Sequence, residues 1–163
     1  MCIRDRIFRG TPPNSKTVKL GFWSGGDRDG NPFVTTDITL KTAQLLRSNI
    51  IRNYYRDVRK LRRRLTFAGV EEAVLDLEKK LYDSIFVLNE KPKISLDELK
   101  ELLNYILDKI ENKFHGLFSN EVKDFISKVN VFGYHFASLD IRQDSRVHHL
   151  SLIHISEPTR PYW

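Results

Sequence analysis

The sequence predicts a mainly helical chain that forms part of an α/β barrel of the TIM type with long helical insertions. Three observations predict it. Two apolar stretches each run directly into a burst of polar residues, as barrel strands do where they present a site at their carboxyl ends. Between them lie four stretches whose apolar residues recur at spacings of three and four, the helical period. Charged residues make up 29% of the chain and hydrophobic residues 40%, enough for a core beneath solvated helix faces. Two short strands and about four helices are expected within the 163 residues, the size of one modest domain.

The first strand is read over Val18–Trp23, after a loop from Ile7 to Thr17 marked by Gly10, Pro12 and Pro13. It delivers Gly25-Gly26-Asp27-Arg28-Asp29-Gly30-Asn31-Pro32. These residues have little to bury. Glycine admits positive φ and close backbone approach, and proline fixes its own φ. The segment therefore reads as a tight loop that aims Asp27, Arg28 and Asp29. It lacks the Gly-Lys-Ser/Thr ending of a P-loop and does not match GxGxxG. As a calcium loop starting at Asp27 it fails, because Pro32 stands in place of the required glycine and Ile38 in place of the bidentate glutamate. The competing reading is a structural turn whose aspartates cap backbone N–H groups.

The first helix follows, with Thr35 or Thr36 as N-cap and Asp37 in its first turn. Ile38, Leu45, Leu46, Ile50, Tyr54, Val58, Leu61 and Leu65 form one apolar stripe to about Phe67, and Gly69 marks the break. The opposite face is basic, with Arg47, Arg52, Arg56, Arg59, Lys60, Arg62, Arg63 and Arg64. A second helix covers roughly Val70–Val87, with Val70, Val74, Leu77, Leu81 and Ile85 on one face. Its early Glu71, Glu72, Asp76 and Glu78 make it a partner for the basic face. Asn89–Ile94 is a connector. Ser95-Leu96-Asp97-Glu98 is a capping box that opens a third helix carrying Leu99, Leu102, Leu103, Ile106, Ile110 and Phe114. Gly116 ends it, and a fourth helix runs from about Asn120 to Asn130 with Val122, Phe125, Ile126 and Val129 inward. These helices carry no assigned chemistry.

The second strand is read in the apolar run Phe132–Ile141, consistent with a buried strand, which ends in Arg142-Gln143-Asp144-Ser145-Arg146. Arg142 is the better anion-binding candidate, since guanidinium offers a planar two-point fork to phosphate or carboxylate. The competing reading is a strand-end salt bridge to Asp140 or Asp144. His135, His148 and His149 do not stand at a metal-ligand spacing, so no metal site is assigned.

Composition narrows the function class. No apolar run spans a bilayer, and no signal peptide is visible. The single cysteine, Cys2, excludes an internal disulfide within the chain. A net charge of +6 permits weak attraction to anions and proves nothing about nucleic acid. Residues 1–6 and 150–163 resemble peptides translated from sequencing-adapter DNA and are expected to be non-native, which leaves 7–149 as the informative segment.

Phe22-Trp23-Ser24-Gly25-Gly26-Asp27-Arg28-Asp29-Gly30-Asn31-Pro32, followed by Val34-Thr35, resembles the Gly-Gly-Asp-Arg-Asp-Gly-Asn-Pro motif of the phosphoenolpyruvate carboxylase family. Leu139-Asp140-Ile141-Arg142-Gln143-Asp144-Ser145 resembles that family's Asp-Ile-Arg-Gln-Glu/Asp-Ser segment. The order matches, helices separate the two, and the resemblance covers about Val18 to His148, closest to bacterial forms. It implies an internal piece of a large cytoplasmic enzyme that adds bicarbonate to phosphoenolpyruvate, giving oxaloacetate and phosphate. Arg142 is then a catalytic residue that contacts the phosphoenolpyruvate or carboxyphosphate anion. Arg28 is a second substrate contact, in a pocket loop of Gly25, Gly26, Asp27, Asp29, Gly30 and Asn31, with Asp27 and Asp29 holding it in place. Magnesium or manganese is implied for the whole enzyme, with ligands outside this chain. So is a catalytic histidine upstream, in a Thr-Ala-His-Pro-Thr segment. The whole enzyme is expected to be a homo-oligomer, a tetramer by resemblance, without nucleic acid or membrane partners. The chain alone is expected to be inactive. The rival from another class is a small basic nucleic-acid-binding protein using the Arg47–Arg64 helix. A degenerate scaffold is a third reading.

Overall fold

The computed structural model of the chain describes residues 20–29, 31–86 and 93–145. They divide into two compact units. The larger comprises Leu20, 46–86 and 93–137, and the smaller 21–29, 31–45 and 138–145. Four helices and two short strands are formed among the described residues, so the chain is mainly α. None of these helices is long and apolar enough to cross a membrane.

Helix α1, Thr36–Arg62, starts in the smaller unit and continues into the larger. Thr35 caps it: its Oγ1 accepts from the Ile38 N–H at 3.4 Å. Asp37 lies in the first turn, and Arg59, Lys60 and Arg62 lie in the last, charges that suit the helix dipole at both ends. Ile50, Ile51, Tyr54, Val58 and Leu61 are buried. Ile38 and Leu45, expected inward, are 41% and 62% exposed, because no core element covers the first turns among the described residues. The helix also stops before the expected Phe67. Leu65 is nevertheless fully buried, and Phe67 stacks on Phe114 with ring centroids 4.5 Å apart.

Helix α2, Glu71–Phe86, follows Gly69, whose φ of +77° turns the chain. It buries Val74, Leu77 and Leu81, with Val70 buried just ahead of it. Helix α3, Leu96–Lys113, is capped as expected, since Ser95 Oγ accepts from the Glu98 N–H at 3.1 Å. It packs against both α2 and helix α4, Ser119–Phe132. Leu99, Leu103, Ile106, Ile110, Val122, Phe125 and Val129 complete the core. Each fully buried side chain of this size contributes about 1.5–3 kcal/mol. The Asn89–Ile94 connector lies mostly outside the described residues, as do the Ile7–Thr17 loop, Val87 and both chain ends.

Two buried phenols tie the larger unit together. Tyr54 donates to the Gly133 carbonyl at 2.6 Å and packs edge-on against Phe125. Tyr134 donates to the Ile94 carbonyl at 3.1 Å. Burial pushes both phenols above their ordinary pKa, Tyr134 further through the charge of Glu98. Tyr134 corrects the strand reading of Phe132–Ile141. Phe132 ends α4, Gly133 (φ +51°) and Phe136 (φ +65°) turn the chain, and only Ser138–Leu139 forms strand β2. The first strand is also shorter than expected: β1 is Gly21–Phe22, with Val18 outside the described residues. The strands pair in parallel, Gly21 opposite Ser138 and Phe22 opposite Leu139. A parallel pair needs a crossover connection, and here all four helices lie within it.

Candidate functional site

The smaller unit joins the two polar loops through their backbones. Beyond the strand pair, Asp140 N donates to Phe22 O at 2.8 Å. The ladder then resumes at a parallel bridge between Asp27 and Arg142. There Arg142 N donates to Gly26 O, and Arg28 N donates to Arg142 O, both at 2.9 Å. Two segments more than a hundred residues apart in sequence therefore emerge side by side at the carboxyl ends of β1 and β2.

The glycines make this approach possible. Gly26 closes a turn through its N–H to Trp23 O at 3.0 Å. It is buried, and a Cβ there would collide with the Asp140 carbonyl oxygen. Gly25 has φ +84°, and Thr42 fills the space its Cβ would need. Asn31 acts as a turn residue: its Oδ1 accepts from Phe33 N at 3.1 Å. Gly30 lies outside the described residues.

The charged groups take distinct positions. Arg28 is half-buried; its Nη2 donates to Thr36 Oγ1 at 2.8 Å, and its Nε–H is buried without an acceptor among the described residues. Thr36 thus takes the place expected for Asp27 and Asp29, neither of which pairs with Arg28 among the described residues. Arg142 is exposed. Its guanidinium forms no ion pair with Asp140 among the described residues. Both cations are left with N–H groups to offer an anion.

Sequence reasoning missed Thr36, Thr39 and Thr42 as loop contacts. The signal was the set of threonines opening α1, of which only Thr35 or Thr36 was read, as a cap. No group of three or more His, Cys, Asp or Glu that could hold a metal ion occurs among the described residues. The described residues do not assemble a magnesium or manganese site. His148 and His149 lie outside the described residues.

In the larger unit, carboxylates engage Arg59, Lys60 and Arg62 of the basic face and Arg64 just beyond α1. Glu78 accepts from Arg62 at 2.9 Å and pairs with Arg59 at 3.8 Å. Glu121 pairs with Arg64, whose guanidinium also lies over the Phe118 ring. Asp57 pairs with Lys60 at 3.2 Å and Lys128 at 2.7 Å. Of the acids anticipated on α2, Glu78 pairs with this face, and the pairing gives no support to nucleic-acid binding.

Comparison with known proteins agrees with the two-motif reading. A family model described as phosphoenolpyruvate carboxylase matches residues 1–115 and 87–161. A phosphoenolpyruvate carboxylase of Shewanella loihica is 29% identical over 90% of this chain and 20% of its own length. The Aeromonas hydrophila enzyme of that name is 28% identical over 84% of this chain and 19% of its own. That of Gloeobacter violaceus is 28% identical over 87% of this chain and 20% of its own. The chain thus spans about a fifth of the length of these curated relatives.

Proposed function

This chain belongs to the phosphoenolpyruvate carboxylase family, and on that premise we propose that it is a segment of an enzyme adding bicarbonate to phosphoenolpyruvate. The products are oxaloacetate and phosphate. In the proposed reaction a bicarbonate oxygen attacks phosphorus, and the bond from phosphorus to the enol oxygen breaks. Carboxyphosphate and an enolate result. Carboxyphosphate releases carbon dioxide and phosphate, and the enolate carbon attacks carbon dioxide.

Negative charge passes among phosphate, carboxylate and enolate oxygens throughout. Fixed cations aimed at those oxygens are the main electrostatic lever open to a protein. The observation that carries the reading is the Asp27–Arg142 bridge, which sets Arg28 and Arg142 on adjacent parallel segments. We assign Arg142 the catalytic contact to the substrate anion and Arg28 a second substrate contact. Gly25, Gly26, Asp27, Asp29, Gly30 and Asn31 shape the pocket loop. The paired strands are read as neighbours in an α/β barrel completed by the longer protein. That protein is a cytoplasmic homo-oligomer, a tetramer in this reading, and its divalent metal is held elsewhere.

The test is bicarbonate-dependent oxaloacetate formation, coupled to malate dehydrogenase. The longer protein carrying this segment forms oxaloacetate, and the isolated chain forms none. A longer protein that binds phosphoenolpyruvate yet makes no oxaloacetate would contradict the proposal.

A further inference from the structure

Three threonines open α1 at intervals of three: Thr36, Thr39 and Thr42. Residues so spaced lie near one helix face, and all three meet the glycine-rich loop. Thr36 Oγ1 accepts from Arg28 Nη2 at 2.8 Å. Thr39 Oγ1 donates to the Gly25 carbonyl at 2.7 Å and also lies 3.2 Å from the Thr35 carbonyl. Thr42, with its hydroxyl donating to the Ile38 carbonyl at 2.8 Å, fills the space beside Gly25. The helix start is therefore a platform on which the loop rests.

Arg28 is the only charged side chain of the loop held by this platform among the described residues. Guanidinium has five N–H donors in a fixed plane. The Thr36 hydroxyl fixes that plane at one end. The Nε–H, buried and without an acceptor among the described residues, is then the donor still to be satisfied. A buried donor without a partner is unfavourable, and an anion oxygen would relieve it.

Building on the carboxylase reading, we propose that Thr36 is a positioning residue, holding the Arg28 guanidinium so that its Nε–H meets a phosphate or carboxylate oxygen of phosphoenolpyruvate. The hydroxyl does not touch substrate. It orders a long side chain before substrate arrives, so that binding energy is not spent on ordering it.

The experiment is a double-mutant cycle in the longer enzyme. Thr36→Val and Thr36→Ala should each lower kcat/KM for phosphoenolpyruvate about tenfold, the scale of one hydrogen bond to a charged group. The loss should appear mainly in the KM for phosphoenolpyruvate, with the KM for bicarbonate little moved. Thr36→Ser, which keeps the hydroxyl, should recover most of it. In an Arg28→Ala background Thr36→Val should cost nothing further, because the two residues act as one unit. Parental kcat/KM in both hydroxyl-less variants, or an equal loss with and without Arg28, would overturn the proposal and leave the carboxylase reading standing. A parent enzyme that makes no oxaloacetate would overturn both.

Discussion

Gly26 is the residue on which the junction of the two loops depends. Its φ is not positive, so the requirement is space: a Cβ would meet the Asp140 carbonyl oxygen. Gly26→Ala should force the two segments apart at a cost of about 1–3 kcal/mol, the range for overpacking. Hydrogen exchange should detect this as lost protection at the Arg28 and Arg142 amides, which donate across the junction; unchanged protection would contradict the geometry. Asp57 offers a separate test in the larger unit. Burial raises its pKa, but hydrogen bonds and charge from Lys128, then Lys60, outweigh burial and hold it below the ordinary 3.8. A carboxyl lowered in the folded state contributes stability that is present above the unfolded pKa and lost as pH falls through the folded one. Acid unfolding of Asp57→Asn should therefore show a shallower loss of Tm below about pH 4 than the parent. Equal slopes would show that the Lys60–Asp57–Lys128 cluster contributes nothing.

Elements were legible where local chemistry decided them. Ser95 with Glu98, Gly69 and Gly116 fixed helix limits, and those signals need no distant partner. Ser95→Ala should cost about 1 kcal/mol, seen in thermal melts, whereas Asp97→Asn, outside the cap hydrogen bond, should cost less. Leu103→Ala, in the centre of α3 and fully buried, should cost about 2–5 kcal/mol. The second strand was misread in extent because Phe132, Tyr134 and Phe136 read as one apolar run, while tertiary packing assigns them separately. Phe132 belongs to α4, Tyr134 reaches the Ile94 carbonyl, and Phe136 takes a left-handed turn. Of the candidate site, Arg28, Arg142 and the glycine loop could be found by residue type. Thr36 could not, because a threonine at a helix start already has a sufficient local explanation as a cap.

The whole chain carries a contrast between its two units. The larger has a closed core with Val58, Leu65, Leu99 and Ile110 fully buried. The smaller exposes Trp23 at 60%, Phe33 at 80% and Ile141 at 64%, with Leu40 and Leu45 also exposed. Exposed apolar residues of this number on a small unit favour association, and in the proposed reading the remainder of the longer protein covers them. The isolated chain should accordingly self-associate with rising concentration in sedimentation velocity. Phe33→Ser with Leu45→Ser should reduce that association, and a parent monomeric at every concentration would argue against this.

The central claim is that Arg142, set beside Arg28 by the junction, contacts the substrate anion. Steady-state kinetics of Arg142→Gln in the longer enzyme, with phosphoenolpyruvate varied, tests it most directly. A charge-assisted contact is worth about 1.5–3 kcal/mol, so kcat/KM should fall at least about tenfold while Tm stays near the parent value. Parental kcat/KM in a folded Arg142→Gln enzyme would contradict the account.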